Sequence, residues 1–169
     1  MGQGPFEIER RYLVRMDPAL WACLGEGRRF VQGYVKTGDP SVRIRTGEAR
    51  GPVLTLKSGD GVRRREVETV VSQDVADALL EAAGTRVLEK VRFVSGPWEL
   101  DRFLGHLDGM TLLEIELEHE DDDIPAPPSG VEILREVTHD NSMTNSALAR
   151  MTEERRASFV HRLYGDGAP

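Results

Sequence analysis

Cysteine is nearly absent: among 169 residues there is one, Cys23. It cannot form an internal disulfide, which excludes a disulfide-stapled secreted scaffold. Also missing is any apolar run long enough to span a bilayer. Met1–Arg15 carries five charges and no apolar core segment of a signal peptide, so a soluble, cytoplasmic protein without membrane attachment is expected. There is no Walker loop and no dinucleotide fingerprint. A basic excess is lacking too, with Lys and Arg at 22 against Asp and Glu at 29, a net charge of −7. That balance argues against general nucleic-acid binding, which needs a surface that neutralises phosphates, but it leaves a locally basic pocket open.

What is present suits one globular domain, with 39% hydrophobic and 30% charged residues. A domain of this size buries roughly 70% of its unfolded surface and needs no covalent staples. The expected unit is 1–169, with a core over about 6–149 and a helical tail over 150–164.

The stretch Phe6–Val14 alternates apolar and charged residues at its start, the signature of a strand. Asp17 and Pro18 then read as the N-cap and first position of a short helix. Arg29–Lys36, Ser41–Thr46, Val53–Ser58 and Arg63–Val71 are short and β-branched, separated by turn chemistry at Thr37–Pro40, Gly47–Pro52 and Gly59-Asp60-Gly61. Between Ser72 and Ala83 the period becomes helical, with Ser72 as cap and Gly84 as stop. Strands resume at Arg86–Ser95, Trp98–Leu104 and Thr111–Glu118. An acidic, Pro-rich loop covers Asp121–Gly130, and helical pattern is expected in Val131–Val137, Ser142–Arg150 and Thr152–Tyr164. Eight strands at this spacing predict an antiparallel barrel or a pair of packed sheets.

The charges choose between these. Alternation places Glu7, Glu9 and Arg11 on one face of the first strand. Arg43 with Arg45, Thr55 with Lys57, and Arg64 with Glu66 and Glu68 share faces of later strands. So do Lys90 with Arg92, Glu99 with Asp101, and Glu114 with Glu116 and Glu118. Solvent-facing sheet surfaces usually mix charge with neutral polar residues, and here nearly every position on that face is ionisable. Acids gather on the first, seventh and eighth strands, while bases dominate the third, fourth and sixth. The predicted fold class is therefore α+β: an eight-stranded antiparallel β-barrel, or tunnel, with a charged lumen flanked by helices.

Carboxylates at i and i+2 project the same way and suit hard divalent cations with oxygen ligands. Glu7/Glu9 and Glu114/Glu116 form two such pairs. A polyphosphate needs several guanidinium and ammonium groups from several directions, and Arg43, Arg45, Lys57, Arg64, Lys90 and Arg92 are the candidates. Metal plus cationic clamp is the recurring arrangement for phosphoryl transfer.

These residues resemble a known family, the CYTH domains or triphosphate tunnel metalloenzymes. Glu7-Ile8-Glu9-Arg10-Arg11 is similar to its ExExK strand. Gln32-Gly33-Tyr34, Val42-Arg43-Ile44-Arg45, Leu54-Thr55-Leu56-Lys57, Arg64-Arg65-Glu66-Val67-Glu68 and Lys90-Val91-Arg92 follow in the family's order. Trp98–Gly105, Glu114-Ile115-Glu116-Leu117, Glu136-Val137-Thr138, Asp140 and Asn145–Ala149 continue it, so the resemblance runs from about Phe6 to Ala149. It implies a small-molecule phosphate substrate and Mg²⁺ or Mn²⁺ as cofactor. Glu7, Glu9, Glu114 and Glu116, together with Asp101, would serve the metal, and Glu66, Glu68 and Asp101 would position water, metal or basic side chains. Arg43, Arg45, Lys57, Arg64, Lys90 and Arg92 would hold phosphates. The leading activity implied is a metal-dependent triphosphatase; a nucleotide cyclase, an enzyme of another organic phosphate and a non-catalytic polyphosphate binder are the alternatives. A homodimer is left open.

One position departs from the family pattern: the signature lysine is Arg11. Arginine keeps its proton, so a phosphate-binding role survives there while a proton-accepting role does not, and Glu66 or Glu68 is the alternative base. Other features carry bland readings. His106, His119, His139 and His161 show no metal spacing. The acidic run Glu118–Asp123 reads as a solvated loop, Arg63 and Arg65 as surface, and Trp21, Trp98 and Phe103 as packing. Cys23 reads as a small buried residue.

Overall fold

A computed structural model describes residues 6–59 and 62–165. The first strand, β1 (Phe6–Met16), is followed by a one-turn helix α1 (Pro18–Trp21) that starts as its sequence requires: the Asp17 carboxylate accepts from the Ala19 N–H at 2.9 Å. Four strands follow, β2 (Arg28–Lys36), β3 (Ser41–Thr46), β4 (Val53–Ser58) and β5 (Arg63–Val70). Of the expected turn Gly59-Asp60-Gly61, the last two residues lie outside the described residues. Helix α2 (Gln73–Ala83) is capped by Ser72 and stopped by Gly84 at φ 59°. Strands β6 (Val87–Ser95), β7 (Trp98–Phe103) and β8 (Thr111–Leu117) come next, then β9 (Val131–Glu136), α3 (Asn145–Arg150) and α4 (Glu153–Tyr164).

The strands are antiparallel in the order β5-β4-β3-β2-β6-β7-β8-β1, and β1 returns to β5 through Phe6↔Arg65, Glu7↔Arg64 and Ile8↔Arg63. That last pairing closes an eight-stranded barrel. Beyond Ile8 the first strand leaves β5, and from Tyr12↔Glu136 to Met16↔Val131 it pairs with β9. The ninth strand therefore stands outside the barrel. Val131–Glu136 is thus a strand, where the apolar spacing of Val131–Val137 suggests a helix. The pairing slips between Leu13 and Val14, a bulge that disturbs the strict alternation by which a strand is read.

Along β1, β6, β7 and β8 the inward side changes character from charged to apolar. Glu7, Glu9 and Arg11 lead to Leu13; Glu116 and Glu114 lead to Leu112; Arg92 and Lys90 lead to Leu88; Glu99 and Asp101 lead to Phe103. The apolar members join Met143, Leu148, Val160 and Tyr164 in one buried cluster. The C-terminal helices are therefore held by the same hydrophobic burial that fills this part of the barrel. Arg156 on α4 reinforces the attachment, donating to four backbone carbonyls, those of Thr85, Val87, Leu148 and Ala149.

On the outer side, α2 covers β2 and β3. Gly33 is required there, because a Cβ would sit 2.9 Å from Leu80 Cδ2 and 3.0 Å from Ala83 Cβ. Leu56 and Val67, paired across β4 and β5, are exposed. Trp98 and Phe103 are buried, and Trp21 packs on Phe93 with ring centroids 5.2 Å apart. Cys23 is exposed rather than buried, since it follows a helix too short to have a buried face. No helix among the described residues is long and apolar enough to cross a membrane.

Candidate functional site

The barrel surrounds a cavity of about 800 Å³, and the strand alternation delivers the charged side chains to it. Glu7, Glu9 and Arg11 from β1, Arg43 and Arg45 from β3, Lys57 from β4, and Arg64, Glu66 and Glu68 from β5 line it. Lys90 and Arg92 from β6 and Glu114 and Glu116 from β8 complete the ring, with Glu116 towards solvent. Of the metal, phosphate and catalytic candidates named from sequence, only Asp101 does not line the cavity; Thr55 and Glu118, expected on the same charged faces, do not line it either. The Asp101 side chain is 0% exposed and lies behind the wall.

Opposite charges hold one another across the lumen. The Lys57 ammonium donates to Glu7 at 2.8 Å and lies 2.9 Å from Glu66. Arg64 donates to Glu7 at 3.2 Å and more closely to Glu9. Arg43 lies 3.7 Å from Glu66, and Arg45 pairs with Glu48 at 2.6 Å. Arg92 reaches Glu114 at 2.8 Å and Asp101 at 2.6 Å, and also contacts Glu99. Asp101 binds the ammonium of Lys90, itself only 1% exposed. Asp101 therefore acts on the cavity through Lys90 and Arg92, which it holds in position.

The acids respond differently to these surroundings. Burial pushes Glu7 up, but Lys57 and Arg64 more than offset it and leave it at about 2. Asp101 is likewise lowered: burial opposes ionisation, and Lys90 and Arg92 overcome it. Burial raises Glu66 to about 7, with the Glu7 charge adding to it. Burial also raises Glu114 to about 7, helped by Glu9 and Asp101. Glu116 rises for the same reasons, burial first and then Glu7 and Glu9.

A pH dependence of stability follows. Glu66 and Glu114 have folded-state pKa values above their usual 4.5, so between pH 4.5 and about 7 the folded state binds more protons than the unfolded chain. Stability then rises as pH falls through that window. Glu7 and Asp101, with lowered values, reverse the trend only below about pH 4.5. The thermal midpoint in chelator is expected to be a few degrees higher at pH 5 than at pH 7.5; a midpoint that climbs with pH across this range would contradict the assignment.

The cavity also has contributors that the sequence pattern did not reveal. Tyr34 of β2 lines it, and so do Asn141, Thr144, Asn145, Ser146 and Arg150 from the segment before and within α3. Ser146 Oγ accepts from the Gly38 N–H at 3.2 Å, tying this segment to the β2–β3 turn. Gln32, fully buried, accepts from Arg43 at 3.4 Å. Arg11 sits where Glu9 is 3.7 Å away, but both of its terminal nitrogens point at the backbone: Nη1 donates to Met143 O at 3.2 Å and Nη2 to Thr138 O at 3.3 Å.

Chemically the donors fit a hard divalent cation, since Glu7, Glu9, Glu114 and Glu116 offer only carboxylate oxygens. Glu7, Glu9 and Glu114 are engaged by cations, and no three candidate ligands among the described residues stand together at coordinating distance. The basic groups fit a polyanion, because they converge from four strands.

The closed barrel sets a wall of guanidinium and ammonium groups against carboxylates within one lumen. The chain belongs to a family of such barrels: residues 5–151 match the CYTH domain. It is 33% identical over 150 residues to an inorganic triphosphatase of Acetivibrio thermocellus, covering 85% of this chain and 93% of that one. It is 36% identical over 155 residues to an inorganic triphosphatase of Nitrosomonas europaea, covering 85% and 96%. A crystal structure of an inorganic triphosphatase is similar with a TM-score of 0.59 at 32% identity, over 89% of this chain and 99% of that one.

Proposed function

We propose that this chain is a metal-dependent triphosphatase that hydrolyses inorganic tripolyphosphate or a small organic triphosphate. The observation that carries this reading is the convergence of Arg43, Arg45, Lys57, Arg64, Lys90 and Arg92 on a lumen that also holds Glu7, Glu9, Glu114 and Glu116. The relatives named as inorganic triphosphatases support the inorganic substrate.

In this reading the six cations hold the phosphate oxygens, and the four glutamates hold Mg²⁺ or Mn²⁺. The bound cation would supply charge neutralisation and a water of lowered pKa. Hydrolysis adds water to the terminal phosphorus, breaks its bond to the bridging oxygen, and leaves orthophosphate, pyrophosphate and a proton. Little covalent chemistry is asked of the protein; its part is positioning and charge stabilisation. Lys57 and Arg64 leave Glu7 and Glu9 to bind phosphate, which frees those acids for the cation. Glu66, raised to about 7 beside Lys57 and not one of the four metal-holding glutamates, is suited to take up a proton near neutrality. Asp101 keeps Lys90 and Arg92 aimed at the anion.

The test is incubation with tripolyphosphate, thiamine triphosphate, ATP and pyrophosphate in Mg²⁺, Mn²⁺ or EDTA, with phosphate release followed. Release from tripolyphosphate in metal and none in EDTA is expected. Cyclic nucleotide with pyrophosphate would replace the reading by a cyclase, and tight binding without turnover by a non-catalytic binder.

A further inference from the structure

We propose that Arg11 is a positioning residue that fastens the Thr138–Arg150 segment as a wall of the lumen, rather than a phosphate ligand or a proton acceptor. The proposal rests on the reading of the lumen as the triphosphate site. Its geometric basis is separate from that reading.

Arg11 is 4% exposed, and its backbone and side chain both bind the same segment. Its N–H donates to Thr138 Oγ1 at 3.0 Å, and its carbonyl accepts from the Val137 N–H at 2.8 Å. The guanidinium then spans Thr138 O and Met143 O, the two ends of the turn that follows β9. Met143 belongs to the apolar cluster, and the next residues, Thr144 and Asn145, line the lumen. Asn145 Oδ1 is buried there without a hydrogen-bond partner among the described residues. Moving the guanidinium onto a phosphate would strip two buried carbonyls of their donor. Each such loss is unfavourable, whereas seven other cationic side chains, Arg150 among them, already line the lumen. A planar fork offers two separate terminal nitrogens to two separate carbonyls, whereas a lysine at this position has one nitrogen on a flexible stem. Arginine in place of the family's lysine is therefore accounted for by this turn.

The experiment compares the parent with Arg11→Lys, Asn145→Ala, the double variant and Thr138→Val. Hydrogen exchange is read first, on substrate-free protein. Amides over 138–150 are expected to exchange at least tenfold faster in Arg11→Lys. Thr138→Val, which removes the Oγ1 acceptor while keeping the guanidinium, should loosen the same amides. With tripolyphosphate and Mg²⁺, Arg11→Lys should raise KM several-fold, leave kcat within about threefold, and keep the shape of the pH profile. On the Asn145→Ala background it should add less than twofold to KM, because both changes act through one wall. Unchanged exchange in both Arg11→Lys and Thr138→Val overturns the proposal. So does a rise in kcat of Arg11→Lys at alkaline pH, or fully multiplicative effects on KM. If the parent hydrolyses no triphosphate, the functional reading fails while the exchange measurements still decide whether Arg11 holds the segment.

Discussion

Replacing Asp101 by asparagine is expected to destabilise the protein by about 3–5 kcal/mol, the usual consequence of removing one partner from a buried ion pair. Asp101 is wholly buried and its two oxygens accept from Lys90 and from Nε and Nη2 of Arg92. An amide there cannot neutralise two cations, and its NH₂ would point at donors. Against a total stability of about 5–15 kcal/mol for a typical domain, the loss is large enough to show directly in urea unfolding. Polyphosphate binding should fall with it, because Lys90 and Arg92 lose the carboxylate that aims them. Glu99→Gln is the matched comparison. Glu99 touches the same Arg92, but its side chain is 42% exposed, so solvent screens the pair and the change should stay within about 1 kcal/mol. Similar losses in the two variants would show that Asp101 has no special hold on the wall.

Glu116→Gln is expected to do the opposite to stability and worse to turnover. Glu116 lies opposite Glu9 in the β1–β8 register, and its pKa is raised by burial and then by the Glu7 and Glu9 charges. Removing its charge relieves repulsion, so the thermal midpoint in chelator should stay level or rise. If it is a metal ligand, divalent-dependent turnover should fall on the order of 100-fold or more, since even outer contacts to a metal site are worth 10–100-fold. A fully active Glu116→Gln enzyme would remove this glutamate from the metal site. A destabilised and inactive one would make it structural.

Much of the barrel was legible because its interior is charged. Strand alternation set Arg43 with Arg45, Lys90 with Arg92 and Glu114 with Glu116 on shared faces, and the closed sheet turns all six towards one cavity. Asp101 shared that pattern, yet lies behind Lys90; alternation gives the side of a strand and not the depth at which a side chain stops. β9 was not legible, because Val131, Ile133, Leu134 and Val137 are spaced as on a helix, and a bulge in β1 lets the strand pair despite that spacing. Nor did anything in Asn141–Arg150 mark it as lumenal. Its lumenal residues before Arg150 are small and neutral, and they reach the cavity because the chain returns there after β9, where Arg11 binds Met143 O. Tyr34 and Gln32 were hidden by being uncharged on a face otherwise recognised by charge.

In the proposed reaction the two walls, which pair with each other across the lumen, exchange those partners for a triphosphate and a divalent cation together. Calorimetric titration of imidotriphosphate, a non-hydrolysed analogue, into the protein in EDTA and in excess Mg²⁺ tests it most directly. A merely basic pocket would bind the bare anion better, because Mg²⁺ neutralises the charge that the arginines and lysines recognise. Freed glutamates reverse that sign, so binding at least tenfold tighter in Mg²⁺ is expected. Equal or weaker binding in Mg²⁺ would contradict the claim.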